Sequence, residues 1–142
     1  LGVDASPTAL AVAQENAQRL NLPVEFHHGD LLSPLPKNSQ LDLVVANLPY
    51  IPTADIAGLQ LEVRSEPRSA LDGGPDGLDV IRRLIAQAPA YLRPSGALLL
   101  EVGDGQAPAV EELLRRAGYV EVRSEPDLSG IARVVLGRKA RS

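Results

Sequence analysis

The chain has 142 residues, of which 44% are hydrophobic and 23% charged, a balance that builds a core and excludes a disordered chain. A formal net charge of −4 excludes a global pull toward nucleic acid or acidic membranes, and the lack of cysteine excludes disulfides and thiolate metal centres. No apolar run is long enough to cross a bilayer and no signal peptide is visible, so no membrane partner is expected and a cytoplasmic setting fits.

The chain opens on Leu1-Gly2-Val3-Asp4, a short apolar strand already under way and ending in a carboxylate. That start leads to the expectation of a piece of something longer. Ser6-Pro7 reads as an N-cap followed by proline at the first helical position. Leu10, Ala13, Ala17 and Leu20 then recur with a helical period, and Asn21 closes the helix. Pro23 to His28 alternates as a strand that ends at Gly29-Asp30, and a Pro/Ser/Asn loop follows. His27 and His28 point to opposite faces of that strand, so no metal site is expected from them.

Leu41 to Ala46 is a nearly continuous apolar strand, which predicts burial on both faces. It runs into Asn47-Leu48-Pro49-Tyr50, and a long irregular stretch continues to Pro75. Asp79 to Leu92 is periodic for a helix, with Pro89 as a potential kink. Pro94-Ser95-Gly96 reads as a turn and Ala97 to Val102 as a buried strand. Ala107 to Ala117 is a helix stopped by Gly118. Tyr119–Arg123 and Ile131–Leu136 read as an antiparallel pair of strands at the edge. Alternation of strands and helices predicts an α/β fold with a mostly parallel sheet.

Three polar groups sit at the ends of successive strands, where open parallel sheets bind ligands: Asp4, Asp30 and Asn47. Asp4 suits the two hydroxyls of a ribose, or else it is a carboxylate near a helix N-terminus. Asp30 suits an exocyclic amino group, with the Leu31 amide donating to a ring nitrogen, or else it is an ordinary turn aspartate. Asn47-Leu48-Pro49-Tyr50 is more specific. An amide nitrogen is a poor nucleophile, because its lone pair is delocalised into the carbonyl. To accept a methyl group it must be held in line and eased toward tetrahedral geometry. The Asn47 side-chain oxygen and the Leu48 carbonyl can accept its two N–H bonds. Pro49 restricts Leu48 to extended conformations, and Tyr50 can pack on a flat amide near a cation.

On these residues the chain resembles class I S-adenosylmethionine-dependent methyltransferases, and within them the release-factor glutamine methyltransferase family. The resemblance runs through Val3-Asp4-Ala5-Ser6, Gly29-Asp30 and Asp42 to Asn47. It continues through Tyr50-Ile51-Pro52, Glu66 to Leu78, Leu99 to Gly103, Asp127 to Gly130 and Arg133 to Arg138. It implies a Rossmann-like sheet with an antiparallel edge pair, and residues 1–142 as the C-terminal portion of a catalytic domain. It implies S-adenosyl-L-methionine as cofactor, held by Asp4, Asp30, Leu31 and Asn47. Asn47, Leu48, Pro49 and Tyr50 would form the catalytic amide site. The implied partners are class-1 peptide chain release factors, methylated at the glutamine of a Gly-Gly-Gln loop, with no stable binding of nucleic acid.

Two departures stand out. The family's Asn-Pro-Pro-Tyr is Asn-Leu-Pro-Tyr here, a form also found in ribosomal RNA adenine dimethyltransferases. Adenine-N6 methylation is therefore the alternative activity, against which the Glu66–Leu78 block argues. The first strand and its Gly-rich loop are absent, as is the helical domain that usually precedes them. This leads to the expectation of weak cofactor binding and low stability for these 142 residues alone. A non-catalytic module derived from a methyltransferase is the third reading.

Overall fold

In the computed structural model, which describes residues 1–141, the chain forms two compact units, Leu1–Ser39 and a second from Gln40 onward. In the first, β1 (Gly2–Asp4) runs into α1 (Pro7–Arg19) and returns as β2 (Phe26–His28), parallel to β1 with Asp4 opposite His28. The start of α1 is local chemistry: the Ser6 hydroxyl accepts the Ala9 amide at 3.2 Å, and Pro7 lacks a hydrogen that would have no partner. Asn21 ends the helical segment in a left-handed conformation, φ +53°, while the Leu22 amide donates back to Ala17. Leu10 and Ala17 form the buried stripe of α1. The Phe26 ring lies where a side chain on Gly2 would stand.

The second unit holds a four-stranded sheet in the order β3-β4-β6-β5. Its strands are β3 (Leu41–Asn47), β4 (Leu92–Glu101), β5 (Val120–Pro126) and β6 (Ala132–Arg138). β3 and β4 are parallel, while β6 is antiparallel to both β4 and β5. The predicted α/β fold with an antiparallel pair at the edge is therefore present. Between β3 and β4 lie a 3-10 turn (Thr53–Gly58), the one-turn helices α2 (Leu61–Arg64) and α3 (Arg68–Leu71), and α4 (Asp79–Gln87). α5 (Ala107–Arg116) connects β4 to β5.

The core lies on one face of this sheet. Leu98, Leu100, Val102 and Val135 are fully buried, as are Val110 and Leu114 of α5 and Ile81 of α4. Each such leucine contributes about 1.5–3 kcal/mol relative to an exposed one. Val44, paired with Leu98, belongs to the same face.

Burial of β3 on both faces is not found. Leu43 and Val45, on the other face, remain 49% and 69% exposed, because no described residue of this unit covers them. Among the described residues β3 pairs only with β4, and β1 only with β2, so each sheet keeps an open edge.

Several boundaries also differ from the sequence reading: β2 begins at Phe26 and not at Pro23, and β5 runs from Val120 to Pro126. The helix beginning at Asp79 stops at Gln87 and tightens into a 3-10 turn, Ala88–Ala90, so Leu92 opens β4 instead of closing a helix. Pro89 is the cause: it has no amide hydrogen for the Ile85 carbonyl four residues back. The Tyr119 hydroxyl donates to that carbonyl instead, at 3.1 Å, and burial pushes the Tyr119 pKa up. Pro94-Ser95-Gly96 is an irregularity inside β4 and not a free turn. Leu92 pairs with Leu41 and Ala97 with Leu43, and the surplus residues are absorbed with Ser95 at φ +63°.

Candidate active site

In the first unit, Asp4 and Asp30 come from neighbouring strand ends. The Gly29 amide donates to the Asp4 carbonyl at 3.0 Å, so the two segments leave the sheet side by side. Both residues are exposed. One Asp4 oxygen accepts the Ser6 amide at 2.7 Å, which fixes the carboxylate beside the start of α1. Among the described residues nothing else hydrogen-bonds to it, so it keeps acceptor capacity for a hydroxyl. Leu31 follows Asp30 in a left-handed conformation, φ +52°, and the Ser33 amide and hydroxyl both donate to the Asp30 carbonyl. Two carboxylates thus stand at adjacent strand ends of this unit.

His27 pairs with Glu25 at 2.9 Å, and the His28 Nε2–H donates to the Ala5 carbonyl at 3.0 Å. Both imidazoles therefore serve local structure.

In the second unit, Asn47 ends β3 opposite Glu101 of β4. Asn47 is exposed, and its side chain makes no hydrogen bond to a described residue. The Leu48 carbonyl is likewise unengaged among the described residues. The next carbonyl is treated differently: Tyr50 O accepts the Gln106 Nε2–H at 2.8 Å. Gln106 Oε1 in turn accepts the Gly103 amide at 2.8 Å. One side chain thus ties the segment after β3 to the segment after β4.

The Glu66–Leu78 block of the resemblance is in its second half a brace for the same strand end. Ile51 forms a parallel bridge to Asp72, with the Ile51 amide donating to Leu71 and the Gly73 amide to Ile51. The Asp72 carboxylate accepts the Thr53 hydroxyl at 2.6 Å, the Gly74 amide at 3.1 Å and Arg68 Nε at 3.1 Å. The Thr53 hydroxyl first, then the Gly74 amide, hold its pKa below the ordinary 3.8. Gly77 passes so close that an added Cβ would stand 2.2 Å from Tyr50 O. Gly103 makes equal room beneath the Tyr50 ring, with 3.1 Å from its would-be Cβ to Tyr50 Cδ2.

A second carboxylate holds the end of this block to α4. Asp76 pairs with Arg82, which also reaches Asp79 at 3.0 Å. The Arg82 guanidinium beside it holds the Asp76 carboxyl down to about 2, from an ordinary 3.8. A lowered folded-state value means the stabilisation is present above about 3.8 and fades as pH falls from there through about 2. Both side chains are about half exposed, so solvent screens the pair and the energy involved is small. Arg82→Gln is expected to return the Asp76 carboxyl toward 3.8 in a carboxyl-carbon NMR titration. A value still near 2 would mean that the guanidinium is not the cause.

Asp72, Gly77 and Gln106 were not legible as site residues. The Gln106 partners lie 3 and 56 residues away, so no periodicity marks it. The crowding of Gly73, Gly74 and Gly77 was a signal of close backbone approach, but not of what approaches.

A family model described as a methyltransferase domain matches residues 1–65. The release factor glutamine methyltransferase of Geobacter sulfurreducens is 49% identical over 139 residues, covering 97% of this chain and 49% of that protein. The chain thus spans about half the length of the curated relatives it matches. A methyltransferase structure from Pyrococcus furiosus superposes with a TM-score of 0.69 over 97% of this chain and 61% of its own, at 15% identity. The protein-(glutamine-N5) methyltransferase (release factor-specific) of Alicyclobacillus acidocaldarius gives a TM-score of 0.53 at 26% identity, covering 98% of this chain and 78% of that one. The fold is that of the class I methyltransferases.

Proposed function

We propose that this chain, whose curated relatives at about half identity are release factor glutamine methyltransferases, is the C-terminal portion of a protein-glutamine N5-methyltransferase catalytic domain. Its reaction is transfer of a methyl group from S-adenosyl-L-methionine to the side-chain amide of a glutamine. The substrate is the Gly-Gly-Gln loop of class-1 peptide chain release factors, in the cytoplasm. The observation that carries this reading is the contrast along Asn47-Leu48-Pro49-Tyr50. The Tyr50 carbonyl is tied down, whereas the Asn47 side chain and the Leu48 carbonyl are left as open acceptors at an exposed strand end.

When bound, the cofactor supplies a methyl carbon made electrophilic by its sulfonium. Asp4 would hold its ribose, and Asp30 with the Leu31 amide its adenine. Asn47 Oδ1 and the Leu48 carbonyl accept the two N–H bonds of the substrate amide. They fix the nitrogen in line and stabilise the positive charge that grows on it as the C–N bond forms. One proton leaves only after that bond exists, so no strong base is required. Tyr50 lines the pocket, and Pro49 keeps the Leu48 carbonyl from rotating away.

The test is methyl transfer from radiolabelled S-adenosyl-L-methionine by the intact protein, offered a purified release factor and, separately, unmodified ribosomal RNA. Label on the release factor, lost when the Gly-Gly-Gln glutamine is changed, supports the proposal. Label on the RNA alone transfers the assignment to adenine-N6 methylation. Label on neither leaves a non-catalytic module as the better reading.

A further inference from the structure

Gln106 stands outside the amide-binding segment and opens α5, yet both ends of its side chain are committed to strand-end loops. Its Nε2–H donates to Tyr50 O and its Oε1 accepts the Gly103 amide, each at 2.8 Å. Its own backbone is held in turn: its amide donates to the Gly103 carbonyl at 3.1 Å and its carbonyl accepts the Val110 amide at 3.1 Å. The side chain therefore projects from a fixed base. The Gly77 backbone closes the other side, since a Cβ there would meet Tyr50 O at 2.2 Å and Gln106 Nε2 at 2.7 Å. A primary amide donates at one atom and accepts at the other, as these two partners require.

We infer that Gln106 is a positioning residue for methyl transfer, and that its hydrogen bond to the Tyr50 carbonyl sets the conformation of Leu48-Pro49-Tyr50. The inference rests on the proposed amide methylation. Pro49 lacks an amide hydrogen and φ is fixed there, so the remaining freedom of the segment lies in the peptide units on either side. With the Tyr50 carbonyl pinned, rotation after Tyr50 is closed off, and the Leu48 carbonyl keeps its aim at the amide site. An error of about 1 Å in such a group costs about 100-fold in rate. Gln106 touches neither substrate nor cofactor in this scheme, and its effect passes through the Tyr50 carbonyl.

Gln106→Glu is the discriminating variant, because it preserves shape and the acceptor for Gly103 while turning the donor into a carboxylate. In the intact protein at neutral pH, kcat on release factor is expected to fall about 10- to 100-fold. Cofactor affinity should stay within about twofold, since Asp4 and Asp30 are unaltered. Lowering the pH protonates the new carboxyl, restores a donor to Tyr50 O and is expected to recover part of kcat relative to the unsubstituted protein. Unchanged kcat at neutral pH overturns the inference. So does a joint fall in melting temperature, cofactor affinity and kcat without recovery at low pH, which marks a merely structural role. Should Gln106→Glu fail to fold, Gln106→Met decides by the same kcat-against-affinity comparison. If the unsubstituted protein methylates no release factor, the proposed function fails instead, and the two failures are distinguishable.

Discussion

Asn47→Ala is expected to lower kcat for methyl transfer by about 10²–10³-fold, the usual effect of deleting one preorganised hydrogen-bond partner of a reacting group. The Asn47 side chain makes no hydrogen bond to a described residue and is exposed, so its removal breaks nothing that holds the fold. Surface changes of that kind move stability by about 0.5 kcal/mol or less. Cofactor affinity should remain nearly unchanged. Asp4→Ala should do the reverse, weakening cofactor binding while leaving turnover at saturating cofactor close to normal. Equilibrium binding of cofactor alongside single-turnover methylation separates the two. If both substitutions acted chiefly on cofactor affinity, Asn47 would serve the cofactor alone and the amide site would have to lie elsewhere.

The largest effect on stability is expected from Gly77→Ala. Gly77 has φ +78°, a region that costs a side-chain-bearing residue about 1–2 kcal/mol. Its new methyl group would also stand 2.2 Å from Tyr50 O, and backbone cannot swing aside as a flexible side chain can. Forced displacement of well-packed atoms adds about 1–3 kcal/mol. A total of about 2–5 kcal/mol is expected, measurable as a lowered denaturation midpoint with unchanged slope. Because the clash falls on the carbonyl that Gln106 holds, residual folded protein should also turn over slowly. Gly105→Ala is the control: its φ is also +78°, but nothing lies within 4 Å of its would-be Cβ. Equal losses at the two positions would show that backbone strain alone, and not contact with Tyr50, accounts for the effect.

The brace around Asp72 explains why the long stretch after β3 need not be a floppy loop. Bridging of Ile51 to Asp72 returns the chain to the strand end, and Thr53, Arg68 and Gly74 converge on one carboxylate. The cost of ordering that stretch is offset by hydrogen bonds made at its base, and the turns from Thr53 to Arg68 carry no fully buried side chain.

The sequence by itself determined what depends on near neighbours. Ser6-Pro7 and the spacing of Leu10, Ala13 and Ala17 specify α1, because capping and helical period act within a few residues. The apolar run ending in Asn47-Leu48-Pro49-Tyr50 placed a polar group at a strand end, because a buried strand tolerates Asn and Pro only where pairing stops. The tertiary structure alone decided what depends on distant partners. The helix starting at Asp79 gives way at Gln87 because Pro89 leaves the Ile85 carbonyl without its donor, and only the fold brings Tyr119 to it. One face of β3 stays open because coverage is a property of what packs on a strand, which its own apolar run cannot report. Gln106 acquires its role because Tyr50 and Gly103 lie at the ends of adjacent parallel strands, a neighbourhood created by sheet pairing and invisible in the linear order.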